Sequence, residues 1–341
     1  MNVTQADVIS TLVCPSCKSK LTKKGCVFSC SLCSNMFGAT EGVLSFTDKF
    51  RKKEAYVENW ITELKNGKQV LSKHIYSHGV KRGELISNFI KKHVNLRGSK
   101  VLDIGCNMGG ISIAFSKQCE QVFSVDVALS KLRLFKLRLS KDKIRNVRVF
   151  HANAKELPFQ SNIFDLAIIN GVLEWSAVGN DGNPKDIHLQ VLKEANRTLK
   201  PGGALYLAIE NRYWILYFLG IKDHHSKLRF APVLPRKLAN VISTISGLGE
   251  YRHYLYSYQE LNDMVKAAGF KKIRFYTAIR NYPYPEYIID INDNQSKITA
   301  INKVMRNGGL YESAMKIGSK IMKYIDSPGI FSQNFVVLAV K

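Results

Sequence analysis

The strongest constraint on the fold is the stretch from Val101 to Gly110, which reads VLDIGCNMGG. Its apolar start predicts a buried strand, and the apolar run after Gly110 predicts a helix that follows a glycine-rich turn. This unit brings backbone N–H groups close to a bound nucleotide, because a side chain in the turn would meet the ligand or forbid a positive φ. Asn107 lies in the turn, and asparagine tolerates the left-handed conformation. The stretch therefore predicts the first βα unit of a nucleotide-binding α/β fold.

A second acid, Asp126, supports this interpretation. It ends the next apolar stretch, about twenty residues past Gly105, which is the distance at which a carboxylate accepts hydrogen bonds from the ribose hydroxyls of a nucleotide. The constellation consists of Asp103, Gly105, Asn107, Gly109 and Asp126. It resembles class I S-adenosylmethionine (SAM) methyltransferases, in which an acid precedes a G-x-G-x-G turn, with asparagine here in place of the middle glycine. The resemblance implies a seven-stranded Rossmann-like sheet with helices on both faces, and SAM as cofactor. Another Rossmann-type nucleotide site and a purely structural turn are the alternatives.

Three later motifs extend the resemblance. Residues 151–159, HANAKELPF, are similar to the family's loop D-A-x-x-L-P-F, whose aspartate contacts adenine. Asn153 stands at that position, followed by Ala154, and an amide can still hydrogen-bond the adenine amino group. Asn170 follows the fourth apolar strand, at the sheet edge where ligands of open α/β sheets bind. Residues 199–212, LKPGGALYLAIENR, match the family's turn into its fifth strand.

The loop at residues 170–175, NGVLEW, excludes two kinds of methyl transfer. Amino-group methylation of bases in this fold uses N-P-P-Y or D-P-P-Y here, and the loop has neither. Methylation at pyrimidine C5 needs a nucleophilic cysteine, which this region lacks. Transfer to an oxygen remains, as does transfer to a nitrogen or carbon that needs no such groups.

The stretch from Glu210 to Arg252 resembles a group of bacterial and archaeal methyltransferases encoded among glycosyltransferases of surface polysaccharide pathways. The resemblance implies O-methylation of a sugar hydroxyl on a surface glycan or a lipid-linked precursor. His224 and His225 are the candidate general bases, and Glu210 is the candidate orienting carboxylate. A capping or packing role is the alternative for each. The alternative functions are methylation of rRNA or tRNA and a catalytically silent SAM-fold binding module.

The N-terminal region contains two C-x-x-C pairs separated by twelve residues. Four thiolates at this spacing predict a closed, structural zinc site with a small hairpin between the pairs. Cys26 falls outside the pattern and is expected not to bind the metal. The segment 35–46 resembles the end of the zinc ribbons that precede some methyltransferases. The predicted zinc ligands are Cys14, Cys17, Cys30 and Cys33.

The predicted domains are a zinc ribbon at 1–48, a helical cap or linker at 49–98, and a methyltransferase domain at 99–341 with insertions at 212–257 and 281–332. Within the cap, a polar loop is expected from His74 to Gly79 between two helices. Toward the C-terminus, the pattern predicts an irregular loop at Asn281–Asp290 and two short helices within 297–325. A final antiparallel strand, Asn334–Val340, is expected at the sheet edge.

The chain carries 50 lysines and arginines against 27 acids, a net charge of +23. Such an excess favours a polyanionic partner, which can be nucleic acid such as RNA, an anionic membrane surface or a phosphorylated substrate; a basic proteome is the alternative explanation. The expected partners are a small-molecule, glycan or glycolipid substrate and an anionic membrane surface, with RNA as the second choice. The helix pattern from Ala128 to Arg145 carries much of this charge. No N-terminal apolar signal is present, and the longest apolar run, Trp214–Ile221, is too short to span a bilayer. We therefore expect a cytoplasmic protein, peripheral at the inner membrane face if the charge meets lipid; the clustered cysteines agree.

Overall fold

The computed structural model describes residues 9–48, 54–66, 75–304 and 332–341. The chain divides into two compact units. The first comprises residues 1–168 and 194–204 with residue 341, and the second comprises residues 169–193 and 205–340. The described residues contain twelve strands, so the prediction of seven is wrong in number.

The first unit contains eight strands in the order β1-β2-β3-β4-β7-β6-β5-β8. Strands β5, β6 and β7 are parallel, as expected of the α/β pattern, whereas β1 to β4 form an antiparallel meander. The strands are β1 Leu21–Lys24, β2 Val27–Cys30, β3 Met36–Thr40, β4 Val43–Ser45, β5 Lys100–Ile104, β6 Gln121–Asp126, β7 Val147–His151 and β8 Phe164–Asn170, whose last two residues belong to the second unit. The predicted hairpin between the cysteine pairs is confirmed by β1 and β2.

The meander does not end as a free appendage, because β4 pairs in parallel with β7, with Ser45 opposite His151. The Ser45 hydroxyl lies 2.8 Å from Nδ1 of the fully buried His151, whose Nε2 lies 2.9 Å from the Val127 carbonyl oxygen. The core behind these strands is aromatic. Phe123 packs edge-to-face with Phe159 and Phe164, with ring centroids 5.7 and 5.1 Å away.

The helices of the first unit follow the apolar spacing of the sequence. They are α1 Ala55–Lys65, α2 Ile75–Ile90, α3 Gly110–Ser116 and α4 Leu129–Lys141. The polar loop predicted at residues 74–79 is wrong for 75–79, because α2 already begins at Ile75; His74 lies outside the described residues. Helix α2 approaches α3 through glycine, and a Cβ added at Gly83 would lie 2.6 Å from the Cβ of Ala114. A longer helix here replaces the loop because its glycines allow this close packing.

The second unit contains four strands in the order β9-β12-β10-β11. They are β9 Leu199–Glu210, whose first six residues belong to the first unit, β10 Lys271–Ile279, β11 Tyr287–Asp290 and β12 Asn334–Val340. Strand β12 runs antiparallel to β10 as predicted, but its predicted place at the sheet edge is wrong. The edge is occupied by β11, which pairs with β10 over residues expected to form a loop. The buried apolar run of β12 explains its interior place.

The helical elements of the second unit begin with a short 3-10 turn, Leu173–Trp175. The α-helices that follow are α5 Pro184–Thr198, α6 Ile215–Phe218, α7 Arg236–Ile245, α8 Tyr258–Ala267 and α9 Asn294–Val304. Helix α5 ends with residues assigned to the first unit. Of the two short helices predicted within 297–325, α9 is present and begins at Asn294, and the remainder lies outside the described residues. In the part of the chain that the structure describes, no helix has the length and apolar character needed to cross a bilayer.

Candidate functional site

The glycine turn after β5 is fixed by backbone hydrogen bonds in the first unit. The N–H groups of Gly105 and Cys106 donate to the Val125 carbonyl oxygen at 2.7 and 3.0 Å. Gly105, Asn107 and Gly109 have φ values of +77°, +52° and +79°. The left-handed conformation predicted for Asn107 is therefore confirmed. The turn holds its backbone in a form that few side chains other than glycine and asparagine adopt.

Asp126 lies at the end of β6 beside this turn. Its Oδ2 accepts a hydrogen bond from the backbone N–H of Asn107 at 2.7 Å, and its Oδ1 accepts one from Ala128 at 2.8 Å. Burial raises the pKa of this carboxyl, and the two backbone donors act against that rise. Each oxygen keeps further acceptor capacity. The carboxyl group therefore fits a ribose diol, the group that SAM would present here.

Asp103 is almost fully buried below the turn. Its Oδ2 accepts a hydrogen bond from the Ser112 hydroxyl at 2.5 Å, and Ser112 lies 2.8 Å from the Ser124 hydroxyl. Burial raises the pKa of Asp103 to about 6. Asp103 thus ties the end of β5 to α3 and to β6, and its predicted role in cofactor binding stays a prediction.

Arg138 supports the turn, a role that its place in a basic helix pattern did not predict. Its side chain is 1% exposed, and its Nη1 donates to the Met108 carbonyl oxygen within the turn. The available signal was its spacing, three residues after Phe135 on the apolar side of α4. Two other basic residues of α4 also have acidic partners: Arg133 contacts Glu41 and Glu58, and Lys131 contacts Glu54. The charges of Lys131 and Arg133 are therefore compensated within the first unit.

The loop after β7 contains Asn153 and Ala154. Asn153 is 8% exposed, and its Oδ1 accepts a hydrogen bond from the backbone N–H of Lys155 at 3.1 Å. The following residues are held by the N-terminal region. Val13 donates to the Pro158 carbonyl oxygen at 3.0 Å, and Gln160 donates to that of Thr11 at 2.9 Å. The predicted adenine loop is thus supported by the segment that carries the cysteines.

The four predicted zinc ligands converge on one point. Their sulfur atoms all lie within 4.8 Å of one another. Cys14 and Cys33 are 3.4 Å apart, as are Cys17 and Cys30, and Cys17 is 3.6 Å from Cys33. Four thiolates around a tetrahedral zinc ion, at about 2.3 Å each, stand about 3.8 Å apart. The donor set and its spacing fit zinc, and the exposed Cys26 lies outside the group.

The two cysteine pairs have the same backbone form, which explains the convergence. The residues after each pair, Lys18 and Ser34, have φ values of +60° and +56°. Their N–H groups donate to the carbonyl oxygens of Cys14 and Cys30 at 2.9 and 3.1 Å. Each turn directs two thiols to the same side, as a metal site requires.

The second unit brings the predicted catalytic residues together. Glu210 ends β9 with its side chain 2% exposed. Its Oε1 lies 2.6 Å from Nε2 of His224, and its Oε2 lies 3.1 Å from Nε2 of His225. The two histidines differ in access, since the His224 side chain is 55% exposed and that of His225 only 3%. One carboxylate therefore orients one accessible and one buried imidazole.

Neighbouring groups fix the charge of this cluster. Burial alone would raise the pKa of Glu210, but its contacts with His224 and His225 outweigh burial and lower that pKa to about 2. Burial alone would lower the pKa of His225, and the Glu210 carboxylate raises it instead. The Tyr217 hydroxyl donates to Glu210 Oε2 at 3.2 Å, and Asp223 accepts from the backbone of His225 at 3.2 Å. The sequence analysis did not assign these last two groups.

Glu210, Asp223, His224 and His225 place their ligand atoms within 4.8 Å of one another, so a metal ion must be considered. Two features argue against a metal ion here. Asp223 Oδ2 accepts from both the backbone and the hydroxyl of Ser226, and Nδ1 of His225 is buried with no hydrogen-bond partner in the structure. A metal-bound histidine usually donates its other ring N–H to a partner. The cluster therefore fits proton binding better than metal binding.

The loop after β8 adds a second buried acid. Glu174 is fully buried, its Oε1 accepts a hydrogen bond from the Tyr282 hydroxyl at 2.9 Å, and burial raises its pKa to about 7. Trp175 is 47% exposed and contacts the rings of His225 and His253, with centroids 5.1 and 4.6 Å away. Asn170 has a side-chain amide whose nitrogen and oxygen are buried without partners in the structure. Trp175 therefore offers an aromatic surface to a ligand, and Asn170, at the start of the same loop, holds polar atoms without partners.

Comparisons with known proteins identify relatives. The model of the ubiE/COQ5 methyltransferase family matches residues 51–280. A demethylmenaquinone methyltransferase from Geobacillus stearothermophilus is 29% identical over 179 residues, covering 51% of this chain and 71% of that protein. A protein of the same name from Staphylococcus aureus (strain JH9) is 29% identical over 189 residues, covering 52% of this chain and 70% of its own.

The solved structures that match this chain are more distant in sequence. A SAM-dependent methyltransferase from Thermotoga maritima, described as a possible histamine N-methyltransferase, is 15% identical with a TM-score of 0.43. The match covers 84% of this chain and all of that one. A phosphoethanolamine N-methyltransferase 2 from Haemonchus contortus, in complex with SAM, is 17% identical with a TM-score of 0.44, covering 80% of this chain and 59% of that one. These likenesses are too distant to inform the choice of substrate.

Proposed function

The chain belongs to the ubiE/COQ5 methyltransferase family and is a SAM-dependent methyltransferase, and we propose that it methylates an acceptor that presents an ionisable hydroxyl group. The observation that carries this proposal is the Glu210–His224 contact of 2.6 Å. When bound, SAM supplies a methyl group already activated by its sulfonium charge. The chain must therefore position the acceptor and receive a proton from it.

His224 is the proposed general base. With its Nε2–H donated to Glu210, its Nδ1 carries the lone pair that accepts the proton, as in carboxylate–histidine pairs of other enzymes. Its 55% exposure leaves it accessible to an acceptor. His225 is too buried for that task, and its raised pKa favours a protonated ring. We assign His225 a positioning role, in which it fixes the second oxygen of Glu210.

The first candidate acceptor is a quinol, because the named relatives are demethylmenaquinone methyltransferases. Loss of the hydroxyl proton to His224 makes the adjacent ring carbon nucleophilic. That carbon forms the new bond to the methyl group as the carbon–sulfur bond breaks, and the ring C–H proton leaves afterwards. The half-exposed Trp175 offers an aromatic face on which such a ring can stack.

The second candidate acceptor is a sugar hydroxyl of a surface glycan or lipid-linked precursor. It is favoured by the resemblance of residues 210–252 and the NGVLEW loop to methyltransferases of polysaccharide clusters. The same base then receives the sugar proton, and the oxygen itself forms the bond to the methyl group. A sugar C–H face also packs well on an indole.

In the first unit we propose that Gly105, Asn107, Gly109, Asp126 and the 153–154 loop bind SAM, with Asp126 on the ribose. We further propose that the four cysteines bind one structural zinc ion with no open position for catalysis. The thiol geometry supports this assignment. The Asp126→Asn variant is expected to weaken binding of S-adenosylhomocysteine at least tenfold by calorimetry, while exposed Asp181→Asn leaves it unchanged.

The acceptor is tested by incubating the protein with methyl-labelled SAM and three separated fractions: demethylated quinones kept reduced, lipid-linked glycans, and RNA. Label in the quinone carbon or the glycan oxygen supports the corresponding acceptor. Label in RNA contradicts the proposal and favours the RNA alternative. To test the base, His224→Gln is expected to lower kcat by a factor of about 10² or more while the SAM affinity stays unchanged. The exposed His93→Gln variant is the control, and it should change neither kcat nor the SAM affinity.

A further inference from the structure

Exposed apolar side chains are concentrated in one stretch of the second unit. Of the fourteen large apolar side chains that are exposed among the described residues, nine lie between 213 and 248. Scattered exposed apolar residues are ordinary, but a concentration of this kind marks an interaction surface. The stretch contains α6 and α7 and the segment that joins them.

Helix α7 has its apolar stripe directed outward. Leu238, Val241 and Ile245 are 46%, 51% and 81% exposed, and their spacing of three and four places them on one face. The opposite face is small and buried, because Ala239 packs with Ala231 and Tyr251. A helix of a globular protein normally turns its large apolar residues toward the core. Here the arrangement is reversed.

A second group of exposed apolar residues adjoins α7 along the chain. Phe218 ends α6 and Leu219 follows it; they are 52% and 71% exposed, and Phe230 is 42% exposed. The Phe230 ring lies against the backbone of Gly220, where a Cβ would be 2.8 Å from it. Since residue 231 packs on α7, the two groups belong to one part of the second unit.

The charges around these residues are all of one sign. Lys222, Lys227, Arg229 and Lys237 are exposed. The only acid between 213 and 248 is Asp223, which is fully buried and accepts hydrogen bonds from Ser226. Within the stretch the exposed apolar side chains are accompanied by exposed cations alone, and the nearest exposed acid after it, Glu250, is paired with Arg252. This combination matches the acyl boundary and the anionic headgroups of a bilayer.

We propose that residues 213–248, here called the docking segment, bind the surface of an anionic lipid bilayer. Helix α7 lies in the interface with Leu238, Val241 and Ile245 inserted among the acyl chains, and Lys222 and Lys237 contact headgroup phosphates. The segment lies on the surface without crossing the bilayer. The inference does not depend on which acceptor is methylated, and its test requires no activity.

The test is cosedimentation of the full chain with phosphatidylcholine vesicles, with and without a minority of phosphatidylglycerol. The wild-type protein is expected to bind the anionic vesicles, less tightly in high salt but still measurably because the apolar part is not screened. The Val241→Glu/Ile245→Glu variant is expected to lower the partition coefficient about tenfold or more. Met36→Glu is the matched control, because Met36 is 70% exposed on β3, outside the segment.

Three outcomes would overturn the inference. The wild-type protein does not bind the vesicles, or Met36→Glu lowers the partition coefficient as much as the double variant does. The third is that sedimentation velocity shows the wild type to be self-associated and the double variant to be monomeric. The last outcome would show that a second copy of the chain covers α7. If the double variant fails to fold, Lys222→Gln/Lys237→Gln tests the charged half. Its binding to anionic vesicles is expected to fall toward its binding to neutral vesicles, which should stay the same. A Lys222→Gln/Lys237→Gln variant that binds anionic vesicles as tightly as the wild type would contradict the proposal.

Discussion

At the scale of single residues, Gly109 shows how backbone form and side-chain space act together in the glycine turn after β5. Its φ is +79°, and a Cβ there would lie 1.9 Å from the Phe135 ring. Gly25 has a similar φ of +61° with nothing within 4 Å. Gly25→Ala is therefore expected to cost about 1 kcal/mol of unfolding free energy from backbone strain alone. Gly109→Ala should cost about 1–3 kcal/mol more, because Phe135 must move.

Urea unfolding of the two variants measures this difference. Equal losses would contradict the structure, because they would mean that Phe135 does not limit the space at Gly109. S-adenosylhomocysteine binding should also weaken in Gly109→Ala and stay unchanged in Gly25→Ala, since only the first lies in the turn.

The Glu210–His225 contact predicts a pH-dependent contribution to stability. The pKa of Glu210 is lowered from 4.5 to about 2, so its contribution is complete above 4.5 and is lost as the pH falls toward 2. The pKa of His225 is raised from 6.5, so its contribution is complete below 6.5 and is lost as the pH rises past the folded value. The pair therefore stabilises the folded state most between about pH 4.5 and 6.5.

Glu210→Gln should consequently lower Tm most between about pH 4.5 and 6.5 and least at either side of that window. Thermal unfolding of both proteins across this range checks the prediction. Glu250→Gln serves as the control, because Glu250 pairs with Arg252 at an exposed position where little stability is expected. A Tm difference that is constant with pH would show that Glu210 acts only through packing.

At the scale of elements, the parallel strands and the cysteine pairs were predictable because their signals are local. Short apolar runs such as Val101–Leu102 indicate buried strands, and C-x-x-C spacing defines a ligand pair without reference to the rest of the chain. Strand β11 was missed because the prolines just before it, Pro283 and Pro285, indicate a loop, and only its pairing with β10 makes it a strand. The pairing of β4 with β7 was equally unpredictable, since contacts between residues 44 and 150 leave no sequence pattern.

The same limit applies to the candidate site. Asp126 and Glu210 were predictable because each ends an apolar strand, where polar groups meet ligands. The buried Arg138 looked like one of many basic residues on α4, and only its contact with Met108 distinguishes it. The difference in exposure between His224 and His225 depends on tertiary packing, so adjacency in sequence gave no basis for choosing between them.

The contacts of the N-terminal region predict that metal binding by the four cysteines supports the predicted adenine loop after β7. Val13 and Thr11 hydrogen-bond to residues 158 and 160, and Lys18 contacts Glu194 at 2.7 Å. Cys17→Ser, or removal of metal by a chelator, should therefore lower Tm and also weaken S-adenosylhomocysteine binding severalfold. Cys26→Ser is the matched control, because that thiol is exposed and outside the cluster. Loss of Tm with unchanged ligand affinity would show that the two regions are independent.

At the scale of the whole molecule, the net charge of +23 opposes the compact state, because like charges repel more when the chain is folded. Salt should relieve this repulsion while weakening exposed pairs such as Lys117–Glu84, which contribute little. The free energy of unfolding is therefore expected to rise by about 1 kcal/mol between low and moderate concentrations of sodium chloride. Sodium chloride is used in place of a sulfate salt, because sulfate also stabilises proteins by being excluded from their surface. Urea unfolding at several chloride concentrations measures it. A fall in stability would mean that internal ion pairs such as Arg133–Glu58 outweigh the repulsion, and that the excess charge is already dispersed over the folded surface.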